Sequence, residues 1–241
     1  MTGQAAGVRA DDEPRVLGVD ACKGGWVGVA LRAGHFDRAL FAPTIRALAE
    51  EASTGGARGV IGIDMAVGLA DAGIRQADRL ARARVGRLAS SVFLLPVRAA
   101  VEAPGFAEAS VLHTSLTGAG LSLQAYGLRV KLLEVDSWVR SRPGPRVVEV
   151  HPEVAFATLR GRPLTLNKRA WGGMTLRRRL LADAGIELPD DLGEVGRVGI
   201  DDVLDAAAVA WTAHRVATGR AQCLPDPPER FSDGLDAAVW F

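Results

Sequence analysis

Two cysteines, Cys22 and Cys223, serve the whole 241-residue chain, and no CxxC pair occurs. That excludes a disulfide framework and a cysteine-rich zinc centre. Aromatic residues are scarce, 5% with a single tyrosine, so a broad base-stacking platform is not expected. Neither sign of charge prevails: 29 basic residues stand against 28 acidic ones, net +1. A nucleic-acid partner is therefore not forced by composition, and local charge has to carry that argument. No stretch approaches the ~18–20 apolar residues of a membrane span. Residues 1–14 lack an apolar signal core and carry Asp11, Asp12 and Glu13. They read as a disordered leader, and a cytoplasmic protein with no membrane partner is the expectation. Also missing are a Walker-type Gly-Lys-Ser/Thr loop, an HExxH zinc motif and a GxSxG nucleophile elbow.

What is present is a core-forming chain, 48% hydrophobic, long enough for one elaborated domain over residues 15–241. Its centre is Val16 to Leu31, VLGVDACKGGWVGVAL. Two apolar runs joined by a Gly-containing turn signal a β-hairpin. Asp20 ends the first run, where an unpaired buried carboxylate is costly. It needs a cation, a hydrogen-bond network or water, unless it is a turn residue bonding its own backbone. Cys22, beside it, is expected to be a small buried residue rather than a reactive thiol.

His35 to Ala42 reads as a third strand of the meander. Pro43-Thr44 opens a helix over 45–53, closed by Gly55-Gly56. Gly59 to Met65, GVIGIDM, suits a buried parallel strand and again ends in an aspartate, Asp64. If the two strands are neighbours, both carboxylates leave the sheet at one edge, where open α/β sheets place their sites. Over 70–98, Arg75, Arg79 and Arg82 fall on one helical face, with Arg84, Arg87 and Arg98 beyond. This is either a solvated face or a cradle for phosphates. Residues 99–120, rich in Gly, Ala and Ser, read as a loop, lid or insertion, and 121–140 as a helix.

Arg146 to His151 is a strand containing Glu149, with His151 on the same face by the two-residue period. His151 is a structural residue or a proton shuttle. Glu153 suits the first turn of the helix that Pro152 opens. Lys168 can reach an anion, and Arg177 to Arg179 read as surface charge. The last clear helix runs over 202–218, with Asp201 or Asp202 as its cap and Asp202 and Asp205 on one face. The tail from Pro225 covers a sheet edge or makes an oligomer contact.

Asp20, Asp64, Glu149 and the Asp201/Asp202/Asp205 group are thus acids at strand ends, in a strand or at a helix start. Clustered carboxylates repel, and a hard cation such as Mg²⁺ or Mn²⁺ is their natural counterpart. Two such ions about 4 Å apart would suit phosphodiester cleavage.

Five blocks carry a resemblance: GVDACKGGWVGVAL at 18–31, IGIDMAVGL at 61–69, the Arg-rich segment 75–98, EVHPEVAFATLRGRPL at 149–164 and DDVLDAAAVAWTA at 201–213. In this order they resemble the DUF429 family, described as predicted nucleases of the ribonuclease H-like superfamily. The resemblance implies an α/β fold with a ribonuclease H-like mixed sheet: an antiparallel three-strand meander plus parallel strands, flanked by helices, with an insertion at about 70–145. It implies metal-binding and catalytic roles for Asp20, Asp64, Glu149 and Asp205 or Asp202. Arg75, Arg79, Arg82, Arg98 and Lys168 are then the substrate-binding cations. The family usually has proline where Ala66 stands, which bears on the loop after Asp64. The expected activity is metal-dependent phosphodiester hydrolysis, with a nucleic acid as partner. Two alternatives remain open: an actin-like ATP-binding phosphotransferase built on the Gly24-Gly25 hairpin, and a non-catalytic binding protein that keeps the fold.

Overall fold

The computed structural model describes residues 14–54, 59–141 and 144–241. The expected leader, apart from Pro14, and the Gly55-Gly56 helix stop lie outside the described residues. Strands β1 (Arg15–Cys22), β2 (Gly25–Arg32) and β3 (His35–Ala42) form the antiparallel meander. Gly24 makes the first turn at φ 85°, a conformation that strains any residue with a Cβ. Helix α1 (Ile45–Ser53) is capped by Thr44, whose side chain accepts the Ala47 N–H.

Strand β4 (Ile61–Ile63) runs parallel to β1, and β5 (Val147–Val150) parallel to β4. Between them lie α2 (Gln76–Val85), a 3₁₀ segment over Gly86–Ser91, α3 (Arg98–Glu102), α4 (Phe106–Thr117), α5 (Leu123–Gly127) and α6 (Arg129–Arg140). The loop expected at 99–120 is therefore helical. Helix α4 buries only Ala109 and His113, so no apolar stripe betrays it. Its Gly105 and Gly118, which suggested a loop, are its two caps, Gly118 in the left-handed conformation.

Helices α7 (Pro152–Arg160), α8 (Trp171–Asp183) and α9 (Ile200–Ala217) precede two closing strands, β6 (Cys223–Arg230) and β7 (Asp236–Trp240). The tail thus extends the sheet, whose order is β3-β2-β1-β4-β5-β7-β6. Strand β7 is parallel to β5, and β6 pairs antiparallel with it. The prolines of β6 sit on the outermost strand, where a missing N–H disrupts no inner ladder. Meander, parallel strands and flanking helices make the α/β arrangement expected of a ribonuclease H-like sheet. No helix of the described residues is long and apolar enough to cross a membrane.

Alternation along the strands sorts the core into two layers. Val16, Val148 and Val150 pack with Ala206, Val209 and Ala210 of α9 on one face. Leu17, Val19, Ile61 and Ile63 pack with Leu48 of α1 and Leu132 and Val135 of α6 on the other. On the α9 face, Gly18 and Gly62 are paired across β1 and β4. A Cβ on Gly18 would lie 2.0 Å from the Ala210 nitrogen and 2.2 Å from the Ala206 carbonyl oxygen. One on Gly62 would lie 3.0 Å from the Val209 carbonyl oxygen. The helix is laid directly on the backbone of the two central strands.

Candidate functional site

Two residues beyond the paired glycines, on the same face, come Asp20 and Asp64. The Asp64 N–H donates to the Val19 carbonyl at 2.8 Å, which continues the β1–β4 alignment past the end of β4. Helix α9, held against the glycines by its small residues, presents Asp205 to the same point. One carboxylate oxygen from each of Asp20, Asp64 and Asp205 lies within 4.8 Å of the others. Asp20 and Asp205 are buried and Asp64 is half-buried.

The site is short of positive charge. Lys168, in the connection between α7 and α8, bonds Asp205 Oδ2 and stands 3.8 Å from Asp201. Asp205 Oδ1 is buried without a hydrogen-bond partner among the described residues. Burial pushes the Asp205 carboxyl up to about 7; Lys168 works against the rise and Asp64 adds to it. Burial likewise raises Asp64 to about 7, opposed by Lys168. Asp20 is raised well above the carboxylate range by burial, then by Asp64 and Asp205. Burial alone would lower the Lys168 ammonium, but Asp205, Asp20 and Asp64 turn its net shift upward. An oxygen-only donor set with an orphaned buried oxygen and excess negative charge fits a hard divalent cation.

Glu149 does not join this group. It pairs in register with Ile63, so it points to the opposite face of the sheet from Asp20 and Asp64. There its Oε2 accepts from Arg75 Nη2 at 2.5 Å and from the Val67 N–H at 3.0 Å. The expectation of a fourth clustered acid failed because position near a strand end says nothing of parity. Asp202 is marginal: its charge raises Asp20 and Asp64, but its oxygens are outside the close group. Neither Asp201 nor Asp202 caps α9, which starts earlier, at Ile200 after Gly199. Both lie inside the first turn, where acids favour the helix dipole.

The arginine cradle is also corrected. Arg75 is 1% exposed and faces Glu149 and Asp78. Arg98 is engaged by Asp136 and Asp233 at 2.9 and 2.7 Å. Arg79 is exposed and Arg82 half-buried on α2. Helical periodicity placed these side chains on one stripe without telling which side of it faces the protein. Lys168 does meet an anion, but that anion is Asp205.

Arg177, expected at the surface, is fully buried. Its Nη2 donates to both Glu153 oxygens at 2.5 and 2.7 Å, and its Nη1 to the Leu166 and Gly173 carbonyls. It therefore fastens the segment that delivers Lys168. A Cβ on Gly173 would lie 1.9 Å from the Asn167 carbonyl oxygen, so that segment also rests directly on α8. His151 caps α7: its Nδ1 accepts the Glu153 N–H at 3.2 Å, and Nε2 faces the Ser91 carbonyl at 3.3 Å. Burial lowers its pKa, so the neutral Nε2–H tautomer fits both contacts. Burial, with Asp202 and Asp20 nearby, pushes the Cys22 thiol up to about 11, which keeps it protonated and unreactive at neutral pH.

A cleft of about 420 Å³ opens over the carboxylates. Asp64, Asp205, Lys168, Arg169, Asn167 and Ser91 are among its walls. Beside it lies a smaller cavity of about 140 Å³, lined by Met65, Ala66, Phe93, Leu95, Asp78 and Glu149 among others.

No curated protein and no solved structure matches the chain. A family model does match, over residues 18–230, and that span includes every acid of the cluster. The chain therefore belongs to the family described as protein of unknown function, DUF429.

Proposed function

We propose that this protein is a metal-dependent phosphodiester hydrolase, with Asp20, Asp64 and Asp205 as the residues that hold the divalent cation. The observation that carries the reading is the convergence of these three carboxylates within 4.8 Å, one buried oxygen unpartnered. When bound, Mg²⁺ or Mn²⁺ supplies Lewis-acid activation of a phosphoryl oxygen and of water. The chain supplies the rest. Asp20 and Asp205 are fixed by the β1–α9 contact, so their oxygens do not reorganise on binding. The exposed Arg169 guanidinium and the Asn167 side chain lie on the cleft wall, placed to orient the phosphate. Lys168 neutralises part of the cluster and stands within reach of an incoming phosphate oxygen.

The test is Mn²⁺ binding by calorimetry on wild type and Asp20→Asn, followed by cleavage of labelled RNA and DNA oligonucleotides with Mg²⁺ or Mn²⁺. The wild type binds and cleaves; the variant stays folded and loses both. Wild-type protein that binds no divalent cation, with or without oligonucleotide, rejects the proposal.

One observation favours a second reading, a fold-retaining binding protein without turnover: Lys168 already bonds Asp205. Under that reading Lys168→Ala leaves the protein unable to bind its anionic ligand and divalent cations make no difference.

A further inference from the structure

The cleft over the carboxylates and the smaller cavity meet at the end of β4, where Asp64, Ser91, Phe93 and His151 line both. Their walls differ. The cleft carries the charged groups of the proposed reaction, with Lys168 and Arg169 on one side. The cavity has apolar walls from Met65, Ala66, Phe93, Leu95, Leu128 and Val150. Besides the half-buried Asp64 it carries two carboxylates, Asp78 and Glu149, that are both more than nine-tenths buried.

Those two acids are only partly engaged. Asp78 Oδ2 accepts the Leu95 N–H at 2.9 Å and Oδ1 lies 3.4 Å from Arg75 Nη1. Glu149 uses Oε2 for both Arg75 and Val67. Its Oε1 accepts no hydrogen bond from the described residues. A carboxylate oxygen left open on the wall of a mostly apolar slot is free to accept from a donor seated there.

Size narrows the donor. A cavity of about 150 Å³ takes one six-membered aromatic ring, and this one measures about 140 Å³. Position narrows it again, since the ring must reach across Asp64 to a phosphate in the cleft. Among the nucleobases, a single six-membered ring with an exocyclic amine is cytosine, since adenine and guanine are fused double rings. The carboxylate accepting from cytosine N4 is the pairing its geometry favours. Uracil presents an oxygen acceptor at the same place and meets like against like.

We infer that the cavity bounded by Phe93, Ala66 and Glu149 is a nucleobase site for the substrate, with a preference for cytosine read by Glu149. This inference rests on the proposed phosphodiester chemistry and names its substrate class. Glu149 is then a specificity residue, placed on the sheet face opposite the cation ligands.

The experiment is calorimetric binding of cytidine 5′-monophosphate, uridine 5′-monophosphate and ribose 5-phosphate to the full chain with Mn²⁺. The expected order is cytidine over uridine monophosphate by about tenfold, with ribose 5-phosphate weakest. Ala66→Leu fills the cavity and brings the cytidine nucleotide down to the level of ribose 5-phosphate, without changing the latter. Glu149→Gln, which offers an N–H in place of a carboxylate oxygen, reverses the order of the two nucleotides. If Glu149→Gln fails to fold because Arg75 loses its counter-ion, the Ala66→Leu comparison still decides. Equal binding of all three ligands to the wild type overturns the base site and leaves the hydrolase standing. A uridine nucleotide bound as tightly as the cytidine one overturns the role of Glu149. Absence of all phosphate binding, with Mn²⁺ bound, removes the base site together with the phosphate-handling cleft it depends on.

Discussion

Glu153 and Asp205 line the same cleft and are both buried, yet they are held in opposite ways. Glu153 has a guanidinium to itself, with Arg177 donating to both its oxygens. Asp205 shares one ammonium with Asp20 and Asp64 and keeps one oxygen bare. The first arrangement is complete and rigid, as a structural ion pair should be. The second is stable only by accepting protons or another cation. The difference separates the acid that shapes the site from the acids that serve it, and neither sequence position nor burial alone makes that distinction.

The largest effect comes from breaking the complete pair. Arg177→Met leaves Glu153 buried without a partner and releases the Leu166 and Gly173 carbonyls. The expected loss is about 3–5 kcal/mol in urea unfolding. A loss under ~1 kcal/mol would mean that the pair is not structural.

The incomplete site responds to pH with the opposite sign from an acid such as Asp71, whose hydrogen bonds to Ser232 lower its pKa. Unfolded aspartates titrate near ~3.9, whereas Asp64 and Asp205 are held up at about 7. Between those values the native state keeps protons that the unfolded chain has released. The metal-free protein therefore draws most stability from these carboxyls below pH ~4 and loses it as pH rises through 7. Thermal unfolding in EDTA from pH 5 to 8 should show the decline, and Mn²⁺ should raise Tm more at pH 8 than at pH 5. A metal-free Tm that rises over this range contradicts the charge deficit. Asp20→Asn should flatten the decline.

Lys168→Met removes the only cation bonded to Asp205 among the described residues. Because that lysine is one-third exposed and the acids can take up protons, its loss should cost under ~1 kcal/mol at pH 6. The same change, read by Mn²⁺ calorimetry, should tighten the metal, since a competing charge has gone. Weaker metal binding would instead make Lys168 a support for the site. The smallest effect belongs to the expected cradle: Arg79→Ala, on an exposed position of α2, should change neither stability beyond ~0.5 kcal/mol nor oligonucleotide affinity.

Much of this was legible from residue order. The bounds of β3 and α1 follow from alternation and from the Pro43-Thr44 start. Asp20 and Asp64 announce themselves as acids closing apolar runs, and Asp205 as an acid among alanines on a helix. What stayed hidden depended on facing. A strand shows its alternation but not which face is shared with a neighbour, so Glu149 was grouped with acids on the far side. A helix shows its stripe but not its depth, so Arg75 reads as part of an open anion cradle and Arg177 as surface charge. Strand β6 was masked by its own prolines, which only an edge position excuses.

The contact of α9 with Gly18 and Gly62 has one more consequence. At Gly18 main chain rests on main chain, and at Gly62 the carbonyl and side chain of Val209 close the same gap. The separation of Asp20 from Asp205 is thus gauged by the thickness of the peptide backbone itself. Hydrophobic residues elsewhere in both layers can vary widely without resetting that gap. The glycine and alanine positions that define it have almost no freedom, although none of them touches the chemistry.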